Sequence, residues 1–417
     1  MRTFLELLPY RIEQAMDWSA LRAARVRWKR KAHKPATVPA PEGQKRLFID
    51  LAIISNHDAG TGIQRVVRAL ALALLEQSSG RANEQWDIRF VSARRKKRYY
   101  RISWPERPIN MGDGEEMRGR PGDVFLGLDY SLDAVRRHRG QLAQFQRDGG
   151  SLWFLVHDLL PLNRPEWFSR NTVIRYKAWL GILAGIADGF FSNSPQTDAE
   201  LKEALAKVYG LSGGYRTQVL PMGHALIDAK DAVEPTIPRF DVSTPFVLMV
   251  GTLEPRKGHG DMISAFEELW RKGSGVRLVF VGRLGWQVEA LHDRILRHPK
   301  YGTLLLWLND VDDAELASIY MACTGVIIAS HAEGFGLPLI EALGHGKPVL
   351  ARDLPVFRMH DGKGVHFFPA KGSPNDLADA TQHWIEAAQG GEVVVERPTK
   401  DWRDSARMLL ETLGSTP

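Results

Sequence analysis

The sequence predicts an α/β protein made of two doubly wound domains with parallel sheets. Three observations carry this expectation. At 417 residues the chain exceeds what one hydrophobic core ordinarily organises, so two domains are expected. Short β-branched and aromatic runs alternate with helix-periodic stretches, the pattern of sheets covered by helices on both faces. That alternation stops between Ser212 and Pro238, in a stretch of Gly, Asp and Pro, and then restarts, which places an inter-domain connection there.

Residues 1–45 stand apart as a basic amphipathic segment and linker. Apolar Phe4, Leu5, Leu7, Leu8, Ile12 and Trp18 precede Arg22 to Lys34, which holds seven Lys or Arg and no acid. Such a combination suits a helix lying on an anionic membrane surface through residues 1–34, and equally a solvated positive tail. A Pro-rich run from Lys34 to Gln44 follows. A second basic block, "ARRKKRYYR" (Ala93 to Arg101), has the same attraction for anionic partners. Nucleic acid is not expected, because these cations lie apart from the motifs and carry no RNA-binding signature.

The first domain spans 46–225. "RLFID" reads as a buried strand; a loop through "SNHDAGTG" leads to a helix beginning near Ile63, with Val66, Val67, Leu70, Leu74 and Leu75 at helical spacing. "WDIRFVSA", "DVFLGLDY" and "SLWFLVHDLLP" read as strands. "NTVIRYKAWLGILAGIA" is a helix with Asn171 as its expected N-cap, and Ser194 with Pro195 opens the next one. The second domain spans 240–397, with strands "PFVLMVGTL", "VRLVFVG", "YGTLLLWL", "GVIIAS" and "KPVLAR" between helices. A last helix in 398–417, "KDWRDSARMLLETL", is expected to pack back on the first domain. Ligands of such sheets sit at the carboxyl ends of the strands, here in the cleft between domains.

Composition excludes several classes. The one cysteine, Cys323, allows no intramolecular disulfide and no CxxC metal site. No apolar run is long enough to span a bilayer as a helix, and the first residues lack the features of a signal peptide. A cytoplasmic protein, peripheral to the inner membrane face if its N-terminal segment binds lipid, is the expectation. His157, His259, His331 and His345 form no metal-type pair, so no metal site is expected.

Four stretches carry candidate chemistry. "GTGIQR" (Gly60, Thr61, Gly62 to Arg65) follows a strand and opens a helix, a setting for an anion at helix amides or simply for a tight turn. It lacks the third glycine of a dinucleotide fingerprint. "GTLEPRKGH" places Gly251, Arg256 and Lys257 at a strand's carboxyl end, where a guanidinium fork and a mobile ammonium neutralise a diphosphate. "VHDLLP" puts His157 and Asp158 at another strand end, as catalytic or structural residues. "HAEGFGLPLIEALGHGKPVL" holds Glu333 on a loop, Pro338 in the first turn of a helix, and Glu341 near that helix's start, where the macrodipole stabilises a carboxylate.

"EGFGLPLIEAL", with "GTLEPRKG" upstream and "VHDLLP" in the first domain, resembles the retaining family 4 glycosyltransferases of the GT-B fold, from roughly Arg46 to the C-terminus. The form "GTLEPRK" with "GTGIQRV" is similar to the bacterial surface-polysaccharide branch, including mannosyl- and rhamnosyltransferases. The resemblance implies two facing Rossmann-like domains and transfer of a hexose from a nucleotide sugar to a lipid-linked glycan or polysaccharide. GDP-mannose is the first donor to test, with no cofactor and no essential metal. It implies that Glu333 meets the donor sugar and Glu341 the ribose hydroxyls. Phe335, Gly336 and Leu337 would offer backbone contacts, Arg256 and Lys257 would bind the diphosphate, and His157 would lie beside the sugar. The Gly60–Thr61–Gly62 loop would approach diphosphate or acceptor. Such transfer passes through an oxocarbenium-like state, and no carboxylate stands out as a covalent nucleophile, so retention implies same-face attack assisted by the departing phosphate. The alternatives are a GT-B nucleotide-sugar epimerase and an inactive GT-B scaffold subunit.

Overall fold

The computed structural model describes residues 19–32, 44–78, 86–105, 114–223 and 238–415. The chain divides into unit 1, Met1–Met222 with Trp402–Pro417, and unit 2, Gly223–Asp401. Residues 1–18, which hold the apolar half of the N-terminal segment, and 33–43, most of the Pro-rich linker, lie outside the described residues.

Unit 1 opens with helix α1 (Ser19–Ala32), then β1 (Lys45–Asp50), α2 (Gly62–Ser78), β2 (Trp86–Arg94), β3 (Lys97–Arg101), β4 (Val124–Gly127) and α3 (Leu132–Arg147). It continues through β5 (Ser151–Val156), the single turn α4 (Leu160–Asn163), α5 (Arg170–Ile186), β6 (Gly189–Ser192), α6 (Pro195–Tyr209) and β7 (Arg216–Val219). The sheet order is β3-β2-β1-β4-β5-β6-β7, parallel throughout except for β3, which returns antiparallel to β2. Leu47, Ile49, Phe125, Trp153 and Phe190 are wholly buried in it, as expected of strands covered on both faces.

Two local expectations are corrected in this unit. The connection placed at Ser212–Pro238 begins too early, since Arg216–Val219 is the last strand of the sheet. Ser169, not Asn171, caps α5, its side chain accepting from the Thr172 amide. The basic block at Ala93–Arg101 is largely a strand hairpin, with Tyr99 and Tyr100 buried beneath its cations. Ser194 caps α6 with Pro195 in its first turn, and Gly210 closes it at φ 61°.

Helix α1 packs on α5 and α6. Val26 and the stem of Lys29 are buried, and Arg30 Nη1 donates to the Ala184 and Ala187 carbonyls at 3.1 and 2.9 Å. Part of the basic run is thereby spent on docking within the unit, while Arg27, Trp28 and Lys31 face solvent.

Unit 2 comprises β8 (Phe246–Val250), α7 (His259–Arg271), β9 (Arg277–Val281), α8 (Glu289–Leu296), β10 (Leu305–Leu308) and α9 (Asp313–Ala322). Then come β11 (Gly325–Ile328), α10 (Leu337–Gly344), β12 (Val349–Arg352), β13 (Val365–Phe368) and α11 (Pro374–Gln389). Its sheet is wholly parallel, in the order β10-β9-β8-β11-β12-β13, so the centre lies between β8 and β11. Cys323 is buried at the end of α9, where burial pushes its thiol up to about 12.

The last helix, α12 (Trp402–Gly414), belongs to unit 1 and packs along α2. Ala406, Leu409, Leu410 and Leu413 are buried, and Arg403 pairs with Glu76 at 2.8 Å. No helix among the described residues is long and apolar enough to cross a membrane.

Candidate active site

In unit 2, the carboxyl ends of the two central strands bring the predicted cations and one predicted carboxylate together. After β8 the chain turns at Gly251 (φ 142°) and passes through a single 3-10 turn, Pro255–Lys257. It then enters α7 through Gly258 at φ 72°. A Cβ on Gly258 would meet the Ala329 carbonyl oxygen at 2.2 Å, so only glycine lets this turn lie against the end of β11. The His331 amide donates to the Arg256 carbonyl at 2.7 Å and ties the two strand ends together.

Glu333 is the centre of this cluster. Its Oε1 accepts from Lys257 Nζ at 2.6 Å and from Ser330 Oγ at 2.7 Å, and its Oε2 accepts from Arg256 Nη1 at 2.9 Å. Burial alone would raise this carboxyl, but the Lys257 and Arg256 charges outweigh it and hold it at about 2. Arg256 also pairs with Glu254 at 2.8 Å. The two cations expected to be open toward a diphosphate are thus both engaged by carboxylates.

Glu341 sits elsewhere on the same motif. Helix α10 starts at Leu337 with Gly336 (φ 93°) as its N-cap, so Glu341 lies in the second turn rather than at the start. The macrodipole argument for it therefore fails, since the effect fades beyond the first turn. What meets this carboxylate is Tyr320 on α9, whose hydroxyl donates to Oε2 at 2.9 Å. Tyr320 is itself stacked on His345, centroids 4.9 Å apart. Glu341 and Phe335 are both buried, and a Cβ on Gly336 would meet the Phe357 ring at 2.5 Å.

In unit 1, His157 follows β5 and is buried. Its Nε2 lies 3.2 Å from the Leu128 carbonyl, which can only accept, so Nε2 carries the proton. Burial pushes the imidazole down to about 4, and the ring is neutral near pH 7. The His157 carbonyl accepts from Asn193 Nδ2 at 2.7 Å. Asp158 Oδ1 accepts from the Leu160 amide at 3.0 Å and shapes the following turn.

The Gly60–Thr61–Gly62 loop is built as a tight turn. Gln64 Oε1 accepts from the Ala59 amide at 2.9 Å and the Thr61 amide at 3.2 Å, while Gln64 Nε2 donates to the His57 carbonyl at 2.7 Å. Thr61 Oγ1 faces the Gln64 amide at 3.4 Å, completing a capping box at the start of α2. The Ala59, Gly60 and Thr61 amides are thus used by the chain itself. "TGIQ" carries the S/T-x-x-E/Q signature, which would have revealed this from sequence.

Three groups escaped the sequence reading. Asp50 and Asp129 end β1 and follow β4, and both are buried. Asp50 accepts from Tyr99 Oη at 2.9 Å and the Ala52 amide at 2.9 Å; Asp129 Oδ2 accepts from the Ile53 and Ile54 amides at 2.7 and 2.8 Å. Burial, then the Asp129 charge, pushes Asp50 up to about 8, and burial pushes Asp129 to about 6. An acid at or just past the end of a buried strand was the available signal. Beside Glu333, His331 and Arg352 both meet Asp261, at 3.2 and 2.6 Å. Tyr320 is the third group.

Comparison with known proteins gives a consistent picture. Residues 233–397 match the family described as "Glycosyl transferases group 1". The chain is 31% identical over 385 residues to the "Serotype-specific mannosyltransferase WbdA" of Escherichia coli, covering 88% of this chain and 45% of that protein. The chain therefore spans about half the length of the curated relatives it matches. Sucrose-phosphate synthase from Thermosynechococcus elongatus superposes with a TM-score of 0.58 at 18% identity, covering 89% of this chain and 96% of that one. The catalytic domain of starch synthase IV from Arabidopsis thaliana, bound to ADP and acarbose, gives 0.56 at 13% identity, covering 89% and 99%. At these identities the structural likeness is one of fold.

Proposed function

The chain belongs to the group 1 glycosyl transferases and has the GT-B fold, and from that premise we propose that it transfers a hexose from a nucleotide-diphosphate sugar to a lipid-linked glycan or polysaccharide. Mannose, carried by GDP, is the first donor to test, because the similar Escherichia coli proteins are named as mannosyltransferases. The observation that carries the reading is the Arg256–Lys257–Glu333 cluster at the carboxyl ends of β8 and β11. Ligands of parallel sheets bind at such strand ends, and two partly buried cations there suit an anion of two charges.

In this reading Arg256 and Lys257 take the diphosphate, stabilising the negative charge that develops as the sugar–phosphate bond breaks. Glu333 meets the donor sugar, Glu341 the ribose, and the Phe335–Gly336–Leu337 backbone and Gly251 shape the donor's bed. His157 lies beside the reacting sugar with a neutral ring, and same-face attack is assisted by the departing phosphate. The acceptor belongs to unit 1. Arg27, Trp28 and Lys31 on α1, with the exposed cations of the β2–β3 hairpin, fit an acceptor displayed on an anionic membrane, and the setting is then the cytoplasmic face.

Purified chain is screened against GDP-mannose and other nucleotide sugars for thermal stabilisation and for donor hydrolysis. Stabilisation with hydrolysis or transfer is expected. Interconversion of the sugar without transfer would identify an epimerase, and absence of both would leave a scaffold.

A further inference from the structure

His259 is the first residue of α7, next to the Lys257–Glu333 pair but absent from every bond described above. It is 3% exposed, and its Nδ1 has no hydrogen-bond partner in the described chain. Its ring packs edge-on against Phe280 of β9, centroids 4.9 Å apart. Together with Lys257, Ser330, Glu333 and Pro338 it lines a pocket at the ends of β8 and β11. Burial, and then the Lys257 charge, lowers the imidazole to about 3, so the ring is neutral.

A buried polar atom without a partner destabilises the fold, and a native chain tolerates one where something outside the chain satisfies it. The helix around it favours an anion, because α7 opens with amides aimed at its N-terminus. We propose that His259 is a donor-binding residue, whose Nδ1–H meets an oxygen of the nucleotide's diphosphate beside Lys257. The inference rests on the donor reading above and adds to the two cations a neutral, directional donor. A neutral ring suits this place, since a third charge beside Lys257 would be repelled, whereas an N–H is not.

The test measures dissociation constants of GDP against GMP, and of UDP against UMP, for wild type, His259→Leu and His259→Asn, together with unliganded melting temperatures. For His259→Leu, diphosphate affinity is expected to fall about tenfold while monophosphate affinity holds. Its unliganded melting temperature is expected to stay level or rise, because the unsatisfied nitrogen is gone. His259→Asn, whose amide can reach the Nδ1 position, is expected to retain most of the diphosphate affinity and guards against a folding defect in the leucine variant. Unchanged diphosphate affinity in His259→Leu overturns the proposal. So does an equal loss for both nucleotides, which would make His259 a part of the pocket wall. Lys257→Gln is the separate control: if it leaves the diphosphate preference intact, the donor reading itself falls.

Discussion

Lys257 Nζ lies 2.6 Å from Glu333 Oε1, and the lysine is held by the residue expected to meet the donor sugar. A bound diphosphate must therefore share or take over a cation that already has a buried partner. Glu333→Gln is expected to lower transfer at least about a hundredfold and to cost about 3 kcal/mol of stability, since it breaks a buried ion pair. Initial rates and urea denaturation measure the two effects. The sign with pH follows from the depressed carboxyl: its stabilisation is present above the ordinary carboxylate range and disappears as pH falls toward about 2. The stability gap between wild type and Glu333→Gln should narrow as acid is added, and transfer at wild-type rates would remove Glu333 from the site.

His157 is neutral through the physiological range, because burial holds it at about 4. Its folded value lies below the ordinary one, so its neutral form stabilises the chain above the ordinary histidine range, and this is lost as pH falls through about 4. His157→Ala is expected to reduce kcat without removing any inflection near pH 6.5. A wild-type inflection there that vanishes in the variant would show a charged ring at work instead.

Asp50 is displaced the other way, to about 8. A carboxyl raised in the folded state favours folding below its ordinary value, and that contribution fades as pH climbs through about 8. Asp50→Asn, which can still accept from Tyr99 or the Ala52 amide, should therefore stabilise unit 1 more at about pH 9 than at about pH 5. Melting curves at the two values decide it; a gain independent of pH would mean that Asp50 does not titrate in this window.

Tyr320 fixes one oxygen of Glu341 while its own ring is clamped by His345. If Glu341 meets the ribose, Tyr320→Phe should weaken binding of GDP several-fold, about 1–2 kcal/mol for a bond to a charged group. Binding of 2′,3′-dideoxy-GDP should be little affected. Titration calorimetry supplies both affinities, and a ribose preference equal to wild type would detach Tyr320 from nucleotide recognition.

Much of both sheets is legible because their inner strands are continuous apolar runs, as in "RLFID" and "GVIIAS". The strands that hide are edges. Lys97–Arg101 and Arg216–Val219 lie at opposite ends of the unit 1 sheet and mix charged or polar residues with apolar ones, since an edge has fewer neighbours to satisfy. In unit 2 the motif residues Arg256, Lys257 and Glu333 declare themselves by strand-end position. Their mutual bonds do not, because a contact across 76 residues leaves no local periodicity. Glu341 shows the opposite failure: its helix was readable, yet its environment depends on Tyr320, which belongs to another helix.

Helix α12 completes unit 1 although all of unit 2 precedes it in the chain. A ribosome emits α2 long before the partner that covers it, so this helix has to wait through the synthesis of some 320 intervening residues (79–401) for its neighbour. During that interval the unfinished surface of α2 is open to chaperones and to other nascent chains. Translation speed across 79–401 therefore sets how long a sticky intermediate survives, and an expression host that slows there should yield more aggregate from the same gene.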